Sequence, residues 1–266
     1  MYALDLVRRR RRRVRAAIIG GIGTIGVATF SIAAFLGHRV GSFTVSLESK
    51  NAQLTMSEKS SFDVRSSFLR VGDLPSFQQY TYSDFRKLGE GALDDENNDY
   101  TFGIVTSRSG KKHTDFLKYT FYVKNVGADP AEYDFSLKIK EIVATAEGKS
   151  LEDSFRVMVY VDGQPTVYAK RLQVPRLGEN QKPDYRAPVT VNEYDAQYWD
   201  LPFEGYATEF RSPTEIMTQV AQPLEPNEVR KYTIVTWLEL FQASDYAEAL
   251  KGASIKLGVE INAYEN

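Results

Sequence analysis

The sequence has 266 residues, 33 Lys+Arg against 35 Asp+Glu, two His, no Cys and a formal net charge of -2. At 42% hydrophobic and 12% aromatic it is not intrinsically disordered, and its length allows one large β domain or two smaller ones. Without Cys, a disulfide framework, thiol catalysis and cysteine-ligated zinc are excluded.

The small net charge hides an uneven distribution. Residues 1–15 hold seven arginines (Arg8, Arg9, Arg10, Arg11, Arg12, Arg13, Arg15) and Asp5, which is 7 − 1 = +6. Residues 16–266 therefore carry −2 − 6 = −8. Ala16 to Gly37 then runs for 22 residues without a charged side chain. As a helix that run is about 33 Å long, enough to cross a bilayer core. The positive-inside rule puts the arginine block in the cytoplasm and residues 38–266 outside. The arginines also fit a nucleic-acid patch, but an uncharged run directly after them marks a membrane flank, and an acidic body repels phosphates. The expected partner at residues 16–37 is thus a membrane, and nucleic acid is excluded.

Two fates of the run stay open. Ser31-Ile32-Ala33 offers small residues for signal-peptide cleavage after Ala33, leaving a secreted protein. The full run is long enough to remain as an anchor. Gly20, Thr24 and Ala28 add a small-x-x-x-small face that can pair helices.

From Gly41 the pattern changes to period two. Phe43, Val45 and Leu47 alternate with Thr44, Ser46 and Glu48, and Leu54 and Met56 continue it. This predicts half-buried strands. Further strands are expected at Thr101–Thr106, Phe116–Lys124, Tyr133–Ile142, Phe155–Val161, Thr166–Val174, Glu228–Leu240 and Ala253–Tyr264. Asn125 to Pro130 reads as a loop, and Asp162-Gly163 as a tight hairpin turn. Ser244 caps a short helix expected over Asp245–Lys251, ended by Gly252. Two stretches interrupt the strands. Phe77–Asp99 ends in an acidic cluster. Pro175–Pro226 holds seven of the ten prolines and reads as an ordered insertion or crossover along one edge, with a short helix near Asn192–Tyr198. The expected class is all-β, a two-sheet antiparallel sandwich of jelly-roll or Ig-like type, with an N-terminal transmembrane or signal helix.

Little in the sequence points to chemistry. Nucleophile-elbow, zinc-protease and P-loop fingerprints are missing, and the Gly-x-Gly-x-x-Gly spacing of Gly21 to Gly26 falls inside the uncharged run rather than opening a helix. His38 abuts the apolar run, and His113 lies among Lys111, Lys112 and Asp115, so the chain is expected not to be an enzyme, with no catalytic or cofactor residues. Asp94, Asp95 and Asp99 are candidate Ca²⁺ ligands, since carboxylates suit a hard cation, although the EF-hand order is missing. Tyr194, Tyr198, Trp199, Phe203 and Tyr206 form a candidate stacking or partner surface, and packing of the insertion explains them equally well.

Three segments together carry a resemblance. They are Gly41-Ser42-Phe43-Thr44-Val45 leading to Leu54-Thr55-Met56-Ser57; Leu117 to Gly127 followed by Pro130-Ala131-Glu132-Tyr133-Asp134-Phe135-Ser136-Leu137; and Arg230 to Glu239 with the later Gly252-Ala253-Ser254-Ile255-Lys256-Leu257. Covering about a third of the chain, they resemble the TasA/camelysin group of bacterial exported β-sandwich proteins. The resemblance implies a jelly-roll-like surface protein, and in TasA itself a biofilm-matrix fibre subunit. Camelysin is described as a metalloprotease, but no ligand set here supports that activity. The expected role is a non-catalytic surface or matrix protein that self-associates, with Phe43, Val45 and Leu47 on a strand that adds to the next subunit. An adhesin or ligand-binding module using the aromatic stretch is the alternative, and an extracytoplasmic hydrolase a third reading.

Overall fold

The computed structural model describes residues 41–49, 53–74, 81–82, 105–106, 112–113, 117–145, 148, 150–177, 181–190, 205–239 and 253–265. The chain divides into two compact units, Met1–Gly37 and His38–Asn266. The arginine block, the Ala16–Gly37 run, the Asp94–Asp99 cluster and the two expected short helices lie outside the described residues. Among the described residues no helix is long and apolar enough to cross a membrane.

The body is all-β. Its strands are β1 Gly41–Ser49, β2 Leu54–Ser57, β3 Phe68–Leu74, β4 Val105–Thr106, β5 Lys112–His113, β6 Leu117–Asn125, β7 Ala131–Val143, β8 Phe155–Val161, β9 Gln164–Ala169, β10 Arg176–Leu177, β11 Pro183–Asp184, β12 Thr208–Glu209, β13 Glu215–Leu224, β14 Val229–Leu238 and β15 Ser254–Glu265. A 3-10 turn, Leu151–Asp153, precedes β8. A five-stranded sheet runs β13-β7-β15-β1-β3, and a six-stranded sheet runs β12-β9-β8-β14-β6-β2. They form a sandwich. Its core takes Phe43, Val45, Phe135, Leu137, Val259 and Ile261 from the first sheet, and Phe121, Phe155, Val157, Tyr232 and Ile234 from the second.

The expected all-antiparallel pairing needs correction. β1 runs parallel to β15, and β12 parallel to β9, so both sheets are mixed. Alternation tells which face a strand buries, but it carries no direction; direction comes from which strands the connections bring together.

Local chemistry explains the sharper turns. Asp162 (φ 49°) and Gly163 (φ 84°) join β8 to β9 with Val161 opposite Gln164, and two successive positive φ values match the twist of a two-residue hairpin. At the β6–β7 loop, buried Asn125 donates through Nδ2 to the Asp129 and Leu224 carbonyls at 2.8 and 2.9 Å. Its Oδ1 accepts from Gly127 N at 2.8 Å. The loop is thereby tied to the end of β13.

Aromatic stacking joins the sheets. Tyr232 lies between Phe135, 4.4 Å away at 14°, and Phe121, 5.3 Å away at 19°. The Tyr232 and Tyr133 hydroxyls share a hydrogen bond of 2.7 Å, which satisfies both phenols inside the core.

The outer face of the five-stranded sheet is polar. Glu260 on β15 pairs with Lys138 and Lys140 on β7. Lys140 lies across Gly258, where a Cβ would come within 2.6 Å of its Cε, so a larger residue there would displace the lysine. Burial alone would raise the Glu260 pKa, but hydrogen bonds from Lys138 and Lys140 outweigh it and hold it below the usual carboxylate value. A lowered folded-state pKa contributes stability above the unfolded value, about 4.3, and that contribution is lost as pH falls through the folded value. Thermal unfolding against pH should therefore show Glu260→Gln less stable than the parent at neutral pH, the gap closing below about pH 4.

Candidate functional site

Two features of the body have more structure than a sandwich needs: the setting of β1 and the chain that covers the six-stranded sheet.

β1 is made by alternation. Phe43, Val45 and Leu47 point into the core with 1%, 0% and 7% exposure, while Thr44 and Ser46 are half-buried on the other face. Its ladder to β15 places Phe43 opposite Leu257, Val45 opposite Val259 and Leu47 opposite Ile261. Its ladder to β3 places Thr44 opposite Arg70, Val45 opposite Leu69 and Ser46 opposite Phe68. β1 is thus an interior strand, hydrogen-bonded on both sides. Ser46 Oγ donates to the Val259 carbonyl at 3.2 Å, a bond between groups 213 residues apart. Phe43 meets Tyr119 of the opposite sheet edge-on at 5.7 Å. Burial of these three side chains stabilises the fold by about 1.5–3 kcal/mol each.

The six-stranded sheet is buried on both faces. Met158 and Tyr160 of β8, Val167 and Ala169 of β9, and Val235 and Trp237 of β14 point away from the sandwich core. Ala187, Val189, Ala207 and Tyr82 cover them as a second cluster. The chain over Ala187–Thr190 acts as a strap. Of the proline-rich stretch, residues 187–190 and 207 lie in or beside this cover, while 215–224 is the edge strand β13 of the other sheet.

Beneath the strap sits an ion pair with almost no exposure, Arg156 on β8 and Glu239 after β14. Arg156 Nε lies 3.6 Å from Glu239 Oε2. Arg156 donates to the Pro188 carbonyl through Nε at 3.3 Å and Nη2 at 3.2 Å, and through Nη1 to the Phe155 carbonyl at 3.1 Å. Glu239 accepts from Thr190 N and, at 3.3 Å, from Trp237 Nε1. The two charges therefore hold successive polar groups of the strap's backbone. Burial lowers the Arg156 pKa against the opposing pull of Glu239. Burial likewise raises the Glu239 pKa against Arg156, Thr190 and Trp237. Desolvation outweighs attraction at both ends, the usual condition of a buried pair. The pair specifies where the strap sits more than it adds to stability.

The remaining candidate residues are placed as follows. Tyr206 is half-buried, and the Arg186 guanidinium stands 3.9 Å from its ring centroid, so one ring face is already occupied. Tyr194, Tyr198, Trp199 and Phe203, with Asp94, Asp95 and Asp99, lie outside the described residues. Among the described residues no group of three or more His, Asp or Glu side chains is placed to hold a metal ion. Sequence reasoning missed the Arg156–Glu239 pair. The available signal was on β8, where Met158 and Tyr160 share a face with Arg156; two large apolar neighbours mark a face that is covered.

Comparison with protein-family models, with curated proteins and with solved structures finds no match.

Arg156→Met leaves Glu239 buried beside no cation and should cost about 3–5 kcal/mol in urea unfolding. Adding Glu239→Gln removes the orphaned charge and keeps an acceptor for Thr190 and Trp237. The double variant should regain more than half of that loss.

Proposed function

We propose that this chain is a non-catalytic bacterial surface or matrix protein, membrane-anchored or secreted, as the TasA/camelysin resemblance implies, and that it self-associates by exchanging β1. The setting of β1 carries the reading. It is the first strand of the body, yet it occupies an interior position in the five-stranded sheet and runs parallel to the last strand.

A strand from a neighbouring copy presents the same side chains to the same groove. Phe43, Val45 and Leu47 of one molecule would face Leu257, Val259 and Ile261 of the next, in the register each chain uses for itself. The hydrogen bonds and packing that β1 gives up on leaving one sheet are remade in the other, so exchange costs little at equilibrium and depends on concentration. Because donor strand and receiving groove are different surfaces, the contact is heterologous and can propagate into a fibre. Both fates of the leader are compatible with it: retention and cleavage after Ala33 each leave Gly41–Ser49 intact.

A cysteine-free sequence allows a direct test. Glu48 lies opposite Asn262 in the β1–β15 ladder, and both are exposed. Glu48→Cys and Asn262→Cys are made in separate chains, mixed at rising concentration and bridged with a short bis-maleimide. Exchange predicts mixed dimers whose yield rises with concentration, and ladders of higher species from the double variant. Mixed chains that stay monomeric, beside a double variant that closes only on itself, would refute it.

A further inference from the structure

The paired strands β10 and β11 form a small hairpin that belongs to neither large sheet. Arg176 pairs with Asp184 and Leu177 with Pro183. Leu172 N donates to the Tyr185 carbonyl at 2.9 Å, which carries the pairing toward the base. There Leu172 packs against the second cluster and Ala187 joins it, so the hairpin is rooted in the body.

Its outer part is unlike the rest of the described surface. Val174 is 79% exposed and Leu177 81%, the two highest values among the large hydrophobic side chains of the described residues. The same segment carries four cations. Arg171 stacks over Tyr185 at 4.6 Å and Arg186 over Tyr206 at 3.9 Å, while Arg176 and Lys182 are exposed. Arg186 also pairs with Asp184 at 2.9 Å. Residues 171–186 carry four cations and two acids, Glu179 and Asp184, which is 4 − 2 = +2. Within residues 16–266, at −8, the remainder is then −8 − 2 = −10. A basic, aliphatic hairpin stands on an acidic body.

We propose that this hairpin binds an anionic lipid surface, with Val174 and Leu177 entering the headgroup boundary and Arg171, Arg176 and Lys182 facing the lipid phosphates. Charge complementarity selects an anionic partner. The aliphatic pair selects lipid among anions, because a soluble polyanion gives Val174 and Leu177 nothing to bury against. Scale selects lipid over protein. A stable protein contact buries roughly 800 Å² on each side, far more than two aliphatic side chains supply, whereas a membrane boundary accepts small insertions.

The full-length chain tests this with one fluorescent label. Leu177→Cys is labelled with an environment-sensitive dye, and Val64→Cys, at a residue 73% exposed, serves as the reference. Each is incorporated into vesicles of phosphatidylcholine, with or without phosphatidylglycerol, and flotation reads incorporation separately from the label. With phosphatidylglycerol the 177 label should shift to the blue with about a twofold gain in intensity, reversed by high salt, while the 64 label stays unchanged. Arg171→Glu with Arg176→Glu and Lys182→Glu should abolish the shift, and soluble polyphosphate should not produce it. Any of three results overturns the proposal: no shift on either vesicle, an equal shift without phosphatidylglycerol, or a shift that follows protein density rather than lipid, which marks contact with another copy.

Discussion

The two ends of the body meet in one ladder, and the five-stranded sheet depends on it. β1 pairs along its whole length with β15, so the inner face of that sheet is complete only when residues 43–47 and 257–261 are side by side. Three consequences follow from the separation in sequence. The pairing closes a loop of most of the body, an entropic cost that slows its formation. It cannot be replaced by a local hairpin, because parallel neighbours need a long connection. And it leaves β1 held by interactions that any other copy of the strand can make equally well. In the proposed self-association, the geometry that closes the monomer would also join one monomer to the next.

The second sheet meets a different demand. A strand such as β8, with buried side chains on both faces, reads Phe155-Arg156-Val157-Met158-Val159-Tyr160, and its outward residues need a cover. The strap provides it with small and β-branched residues, Ala187 and Val189, and offers backbone groups that hydrogen-bond with side chains below. Arg156 and Glu239 satisfy those groups. Charged partners make stronger hydrogen bonds than neutral ones, at the cost of their own desolvation. The result is a strap whose position is fixed by chemistry and whose net stabilisation comes from the apolar cluster around it.

How much of this was legible follows from where the information lies. β8 matches its expected bounds, Phe155–Val161, and β6, β7, β14 and β15 lie within two residues of theirs, because β7 and β15 bury an alternating face and β6, β8 and β14 are runs rich in aromatic and β-branched residues. The Asp162-Gly163 turn was readable because both residues tolerate positive φ. β3 and β13 were not read as strands. In β13, Pro223 and the positive φ of Ala221 break the periodicity, and its burial follows no simple alternation, as suits an edge strand that must resist pairing. The burial of Phe43, Val45 and Leu47 on one face was readable from alternation, but their position inside the sheet and parallel to β15 was not, since direction and neighbour are tertiary facts. The strap was hidden for the same reason: Arg156 and Glu239 look like surface charges until something lies over them.

If self-association runs through β1, the five-stranded sheet requires that strand but not covalent continuity with it. Complementation measures this directly. A chain lacking residues 42–48 is followed by thermal unfolding, alone and with a synthetic peptide of residues 41–49. The account predicts a large loss of stability on deletion and its recovery, saturating with peptide concentration. A deleted chain that unfolds at the parent temperature, or one that the peptide leaves unchanged, would contradict it.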